Sequence, residues 1–187
     1  SRTTASVSVV MNEAPTGGTL TVNPVSGIAL NTSFTWETAG WSDDVDDYPL
    51  EYIFSYYVSF AYSQVVVKSA SEVSYSTARL GAGQSGTGQI TCVANASDTY
   101  GATGTTSNTD VTVSALESVS DLKEVADKQL ARAFRFVDPT AVNNVLSGVT
   151  ETLNAVDCNV PTSCFLLNRY DCSDTAQTQR RAGRFRI

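Results

Sequence analysis

The sequence of 187 residues contains no histidine, a single methionine and few charged residues, which make up 17% of the chain. The absence of histidine removes the commonest general base, the commonest zinc ligand and every Ser/His/Asp or Cys/His catalytic arrangement. The tract 83–86 is similar to a nucleophile elbow, but Thr87 stands where the G-x-S-x-G motif needs glycine. No pair of carboxylates lies in an apolar setting that would separate their pKa values. We therefore predict that the protein is not an enzyme and has no organic cofactor.

Long apolar runs are absent as well. No stretch approaches the roughly 18 apolar residues that a membrane-spanning helix needs, so we predict no membrane span. Serine and threonine together occupy 45 of the 187 positions. Because a polar but weakly charged surface is common in secreted and cell-surface proteins, we expect an extracellular or cell-surface location.

Charge is distributed unevenly along the chain. Residues 1–115 hold 3 basic and 10 acidic side chains, a net charge of −7, whereas residues 116–187 hold 9 of each. An acidic body repels phosphate, which argues against a nucleic-acid partner. Two interpretations stay open for the basic C-terminus, a solvated tail and a group that attracts the acidic body of another copy. Its arginines are Arg180, Arg181, Arg184 and Arg186.

The four cysteines are Cys92, Cys158, Cys164 and Cys172. An even count with three cysteines in a short segment favours disulfides formed in an oxidising compartment. A metal site is the weaker alternative, because the chain has no C-x-x-C pair and no histidine. The pairing cannot be deduced from the sequence, and Cys92 is either bonded or a buried free thiol.

Residues 12–116 have the pattern of an antiparallel β-sandwich. Short runs rich in Val, Thr, Tyr and Phe alternate with turn residues, and about seven such runs in about 100 residues indicate two packed sheets. The predicted strands are 19–22, 33–36, 49–59, 64–68, 74–80, 89–98 and 110–114. The inward side chains predicted for the last long strand are Ile90, Cys92, Ala94 and Ala96, and the outward ones are Gln89, Thr91, Val93 and Asn95.

Residues 1–11 are predicted to be an extra strand, because this segment, which includes Val7 and Val9, resembles the strand that ends the domain. Its unpaired backbone groups need a partner. The strand pairs within its own sheet, completes the sandwich of a neighbouring copy, or is simply an ordinary first strand.

Residues 117–157 change to a helical period and predict a hairpin of two helices, with Asp138 and Pro139 beginning the second one. The first apolar stripe is Val119, Leu122, Val125, Ala126, Leu130, Ala133, Phe134 and Val137. The second is Val142, Val145, Leu146, Val149, Leu153 and Val156. We expect both stripes to be buried against each other, the sandwich or another subunit. Residues 158–187 are expected to form a disulfide-rich segment and a basic tail.

Two surface features predict ligands or modifications. The loop that contains Asp43, Asp44, Asp46 and Asp47 has the density of hard oxygen ligands that suits Ca²⁺, although a solvated acidic loop is the alternative. Two glycosylation sequons begin at Asn31 and Asn95. We predict that both carry glycans if the chain is secreted through a eukaryotic route.

Several tracts resemble the REJ (receptor for egg jelly) region of polycystin-like surface proteins. They are 14–18, 24–30, Phe34, 40–41 with the aspartates that follow, and 49–56. Tracts 98–103 and 111–113 are similar to the ends of fibronectin-like and PKD-like repeats, and 164–172 is similar to a short cysteine-rich stretch in surface proteins of protists and algae. The resemblance implies an extracellular immunoglobulin-like, fibronectin III-like or PKD-like sandwich used in adhesion, ligand recognition or load-bearing assembly, without catalytic residues.

Two functions remain in competition. The first is a self-assembling subunit of a cell-surface filament or coat, which uses strand pairing and helix packing between copies. The second is a monomeric ectodomain fragment of a polycystin-like receptor that binds a glycan or calcium.

Overall fold

The computed structural model describes residues 3–7, 11–116 and 118–155. In this part of the chain, two β-sheets share one core and two α-helices follow them. The mainly β architecture with a C-terminal helical pair is therefore confirmed. The cysteine-rich segment and the basic tail lie outside the described residues.

The strands form a three-stranded and a five-stranded sheet. The first has the order β1 (Thr19–Asn23), β3 (Phe34–Ala39) and β6 (Tyr75–Ala78). The second has the order β2 (Ser26–Ile28), β8 (Thr103–Ser114), β7 (Gln89–Ser97), β4 (Glu51–Tyr57) and β5 (Val65–Ser71). Among the described pairs, all are antiparallel except β2 with β8, so the prediction of a wholly antiparallel sandwich was wrong at this edge.

The core forms because alternating side chains of the two sheets face each other. In β3 every second residue is buried, and the Trp36 ring meets the Phe54 ring of β4 edge to face, with 5.9 Å between centroids. The inward positions predicted for β7 are confirmed. Val93 was predicted to point into solvent, but it is buried beside Ser55, whose hydroxyl donates to Gln64 Oε1 at 2.7 Å. Neighbouring side chains thus cover the centre of this outer face.

The helical hairpin consists of α1 (Val119–Arg135) and α2 (Pro139–Ala155). Asp138 caps α2 as predicted, since its Oδ1 accepts from the N–H of Ala141 at 2.9 Å. On α1 the buried residues include Leu122, Ala126 and Ala133.

Four residues of the predicted stripes are exposed in the single chain rather than buried against the other helix or the sheets, and their burial against another subunit stays a prediction: Phe134, Val137, Leu146 and Leu153. On α2 the deeply buried positions are Val145, as predicted, and three residues outside the predicted stripe: Asn144, Gly148 and Thr152. The physical reason is a close approach of backbones, because a Cβ at Gly148 would lie 3.2 Å from Cα of Gly81. Small and hydrogen-bonding residues therefore face the sheets, and the larger apolar ones face outward.

The N-terminal segment has no regular secondary structure over residues 3–7, and Val7 is exposed. Val9 lies outside the described residues. Strand pairing with a neighbouring copy stays a prediction. Neither described helix has the length and hydrophobicity that a membrane crossing requires.

Candidate metal centre

Three aspartates converge where the β3–β4 loop meets the β7–β8 turn. Asp43, Asp47 and Asp98 each present a carboxylate oxygen, and these three oxygens lie within 4.8 Å of one another. Asp47 and Asp98 are both only 6% exposed. The sequence predicted Asp43 and Asp47, whereas Asp98 was missed.

The β3–β4 loop is anchored by Trp41. Its indole N–H donates to Oγ1 of Thr38 at 2.8 Å, and its ring lies against Gly18 and Gly104, where an added Cβ would overlap the ring. Glycine at position 18 is therefore required to admit the indole, and Gly104 is required by the indole together with the backbone carbonyl of Pro15, which an added Cβ would also overlap.

A short 3₁₀ turn over Val45–Asp47 then brings the end of the loop to the β7–β8 turn. The carbonyl of Asp47 accepts from the N–H of Thr99 at 3.1 Å. This contact places the carboxylate of Asp47 beside that of Asp98.

The hydrogen bonds around Asp98 favour the ionised form of its carboxyl group. Its Oδ1 accepts from the N–H groups of Tyr100 and Ala102 at 2.8 and 2.9 Å, and its Oδ2 accepts from Asn12 Nδ2 at 2.7 Å. Burial by itself raises the pKa of Asp98, but the hydrogen bonds from Asn12 and the turn outweigh it and hold the pKa below its usual value.

Asp43 and Asp47 are poorly compensated. Burial, and then repulsion from Asp43 and the neighbouring aspartates, raises the pKa of Asp47. Within the described residues, the Asp47 carboxylate accepts no hydrogen bond from a side chain or backbone N–H. Oδ1 of Asp43 accepts from the N–H of Asp44, but its buried Oδ2 has no partner among these residues. Negative charge therefore accumulates at one partly buried point beside the cleft.

The other predicted ligands lie apart from this cluster. Asp44 and Asp46 are exposed and, with Asp47 of the cluster, line an adjoining cleft of about 540 Å³ whose other walls are Met11, Asn12, Val45 and Tyr100. The structure thus brings together two of the four predicted aspartates. The missed Asp98 carries a turn signal, since it directly follows β7 and stands three residues before Gly101.

The other predicted site residues are the two sequon asparagines, the four cysteines, Val9 and the C-terminal arginines. Asn31 is exposed, and Asn95 is half-buried with its Oδ1 accepting from Thr105 Oγ1 at 2.8 Å, so glycan attachment stays a prediction at both. Cys92 is a buried free thiol, and burial raises its pKa to about 12. The other three cysteines, Val9 and the four C-terminal arginines lie outside the described residues: Cys158, Cys164, Cys172, Arg180, Arg181, Arg184 and Arg186.

Comparison with known families agrees with the resemblance drawn from the sequence. Two sheets with a C-terminal helical pair define the chain as a β-rich domain. A model of the REJ domain matches residues 1–147, and the chain belongs to the REJ domain family. REJ domains are receptor-type domains of the extracellular regions of polycystin-like proteins. A search of curated proteins found no match to this chain.

Proposed function

We propose that the chain is a non-enzymatic extracellular structural module that binds further copies of itself in a cell-surface filament or coat. The observation that carries this proposal is an exposed apolar surface where α1 turns into α2. It consists of Phe134, Phe136 and Val137, which are 67%, 69% and 84% exposed, and is called the hairpin patch below. Three exposed apolar side chains within four residues of one turn are the kind of feature that contact surfaces present.

The backbone at the hairpin patch supports a functional role. Val137 has a φ of 52°, a left-handed conformation that is strongly disfavoured for a β-branched residue. Glycine or asparagine at this turn would remove the strain without loss of any buried contact, because the Val137 side chain is exposed. A strained valine whose side chain is 84% exposed among the described residues is explained if that side chain packs against another molecule.

The outer face of α2 also exposes an apolar side chain. Leu146 is 50% exposed, although the apolar periodicity of the helix includes it. A second copy that covers the hairpin patch and this face would bury side chains that the single chain leaves in water, and each buried methylene contributes about 0.8 kcal/mol.

A second candidate function is a monomeric ligand-binding ectodomain. The specific observation that favours it is the group of converging carboxylates beside the cleft at Asn12 and Tyr100, which lies away from the hairpin patch in the chain. This function needs no contact between copies.

Sedimentation velocity over a wide concentration range separates the two candidates. We expect the parent chain to exceed its monomer mass of 19.9 kDa as concentration rises. The double variant Phe134→Ser, Phe136→Ser is expected to weaken association at least tenfold, because it removes two aromatic anchors from the contact.

The matched control replaces Phe60 and Tyr62 by serine. These rings are also exposed and stack at 5.3 Å in the β4–β5 loop. The control should associate like the parent. A parent chain that stays monomeric at every concentration would overturn self-assembly and leave the ligand-binding function.

A further inference from the structure

We propose that Asp43, Asp47 and Asp98 bind a Ca²⁺ ion that ties the start of the domain to its two loops. This inference deepens the second candidate function by naming its ligand, and it does not depend on contact between copies.

The first argument is the missing compensation at Asp47. Asp47 is only 6% exposed as a residue, presents a carboxylate oxygen to the cluster at the edge of the cleft, and accepts no side-chain hydrogen bond within the described residues. The buried Oδ2 of Asp43 is also without a partner there. Buried carboxylates are costly unless a cation or hydrogen-bond donors compensate them, and no lysine or arginine forms an ion pair with these aspartates in the described part of the chain.

The second argument is the chemistry of the ligand set. All three ligands are carboxylate oxygens, which favour hard cations over zinc or copper. Ca²⁺ binds oxygens at about 2.3–2.6 Å, so two ligands on opposite sides of the ion are at most about 5 Å apart. The observed limit of 4.8 Å between the three oxygens agrees with this span. Mg²⁺ requires shorter bonds of about 2.0–2.1 Å and a stricter geometry.

The third argument is what the ion would join. Asn12 donates to the Oδ2 of Asp98, so the residue at the beginning of the described domain already contacts the cluster. An ion held by Asp43 and Asp47 from one loop and by Asp98 from the other turn would link three separate segments of the chain. We therefore expect Ca²⁺ to stabilise the native state and to fix the position of the N-terminal segment.

Thermal unfolding of the full chain in about 10 mM CaCl₂ tests the site. For a Kd of about 0.1 mM, binding should raise the melting temperature by about 5–10 °C. The double variant Asp43→Asn, Asp47→Asn should lose this rise. It should also melt no lower than the parent without Ca²⁺, because it removes repulsion between buried carboxylates.

The double variant Asp44→Asn, Asp46→Asn is the matched control, since it makes the same charge change in the same loop at exposed positions. It should keep the full effect of Ca²⁺. A direct second measurement is Tb³⁺ luminescence sensitised through Tyr100, which lines the adjoining cleft. Excess Ca²⁺ should displace that signal.

Three results would overturn the proposal: a parent chain that Ca²⁺ does not stabilise, equal losses in both double variants, or equal stabilisation by Mg²⁺. The second result would indicate diffuse attraction to the acidic loop. Sedimentation of the same samples measures self-association separately. The Ca²⁺ proposal and the self-assembly proposal can therefore fail independently of each other.

Discussion

Replacing Glu151 by glutamine is expected to raise the free energy of unfolding at pH 8 by about 1–2 kcal/mol. Glu151 lies half-buried where α2 meets the sheets, and its Oε2 accepts from the Tyr56 hydroxyl at 2.9 Å. Burial raises the pKa of Glu151 from 4.5 to about 7, and the hydrogen bond from Tyr56 only partly offsets this. In the described residues both ion pairs lie on α1, so no cation compensates Glu151.

The sign follows from proton linkage. The folded chain binds a proton at Glu151 more tightly than the unfolded chain, since the folded pKa is the higher one. The resulting stabilisation is complete below pH 4.5 and is lost as the pH rises to about 7. One pKa unit corresponds to about 1.4 kcal/mol, which sets an upper bound of about 3 kcal/mol, and solvent around a half-buried group reduces it.

Urea unfolding of the parent and Glu151→Gln between pH 4 and 8 measures this effect. The two stabilities should coincide near pH 4 and diverge as the pH rises. Glu51→Gln, at an exposed position of β4, is the control and should follow the parent. Parallel curves for the parent and Glu151→Gln would show that the carboxylate is solvated in the native state.

Replacing Phe54 by alanine is expected to cost about 3–5 kcal/mol of stability. The Phe54 ring is fully buried in β4, packs edge to face on Trp36 and has the Nζ of Lys68 5.4 Å from its centroid. Truncation leaves a cavity between two sheets that are held by strand pairing and cannot collapse freely.

The control for this prediction is Phe60→Ala, because it removes the same atoms from an exposed loop position. Its cost should stay below about 1 kcal/mol. Urea denaturation with an unchanged m-value gives both numbers. A cost below about 1 kcal/mol at Phe54 as well would mean that the shared core is not tightly packed.

The sequence was informative wherever one face of an element is buried and the other is wet. In β3 the two-residue alternation places Phe34 and Trp36 correctly, because burial on one face enforces that period, whereas in β4 and β7 it fails to show that Ser55 and Val93 on the opposite face are buried too. The cap at Asp138 was also predictable, since Asp-Pro is a strong helix start.

Local sequence patterns did not predict those elements whose structure depends on contacts between residues far apart in the chain. The strand β2 has three residues and is fixed by parallel pairing with the distant β8. The first half of β8 is a run of glycine and polar residues, and its pairing with β7 is what makes it a strand. The face of α2 is set by the approach of Gly148 to Gly81, and Asp98 joins Asp43 only because a turn folds beside a loop.

Hydrogen–deuterium exchange at low and high protein concentration tests most directly whether the chain works through contact at the helical hairpin. We expect amides from about Leu130 to Leu146 to exchange more slowly in the concentrated sample, and those of the central strand β7 to be unchanged. Identical exchange at both concentrations, or slowing that leaves out Phe134, Phe136 and Val137, would contradict this expectation.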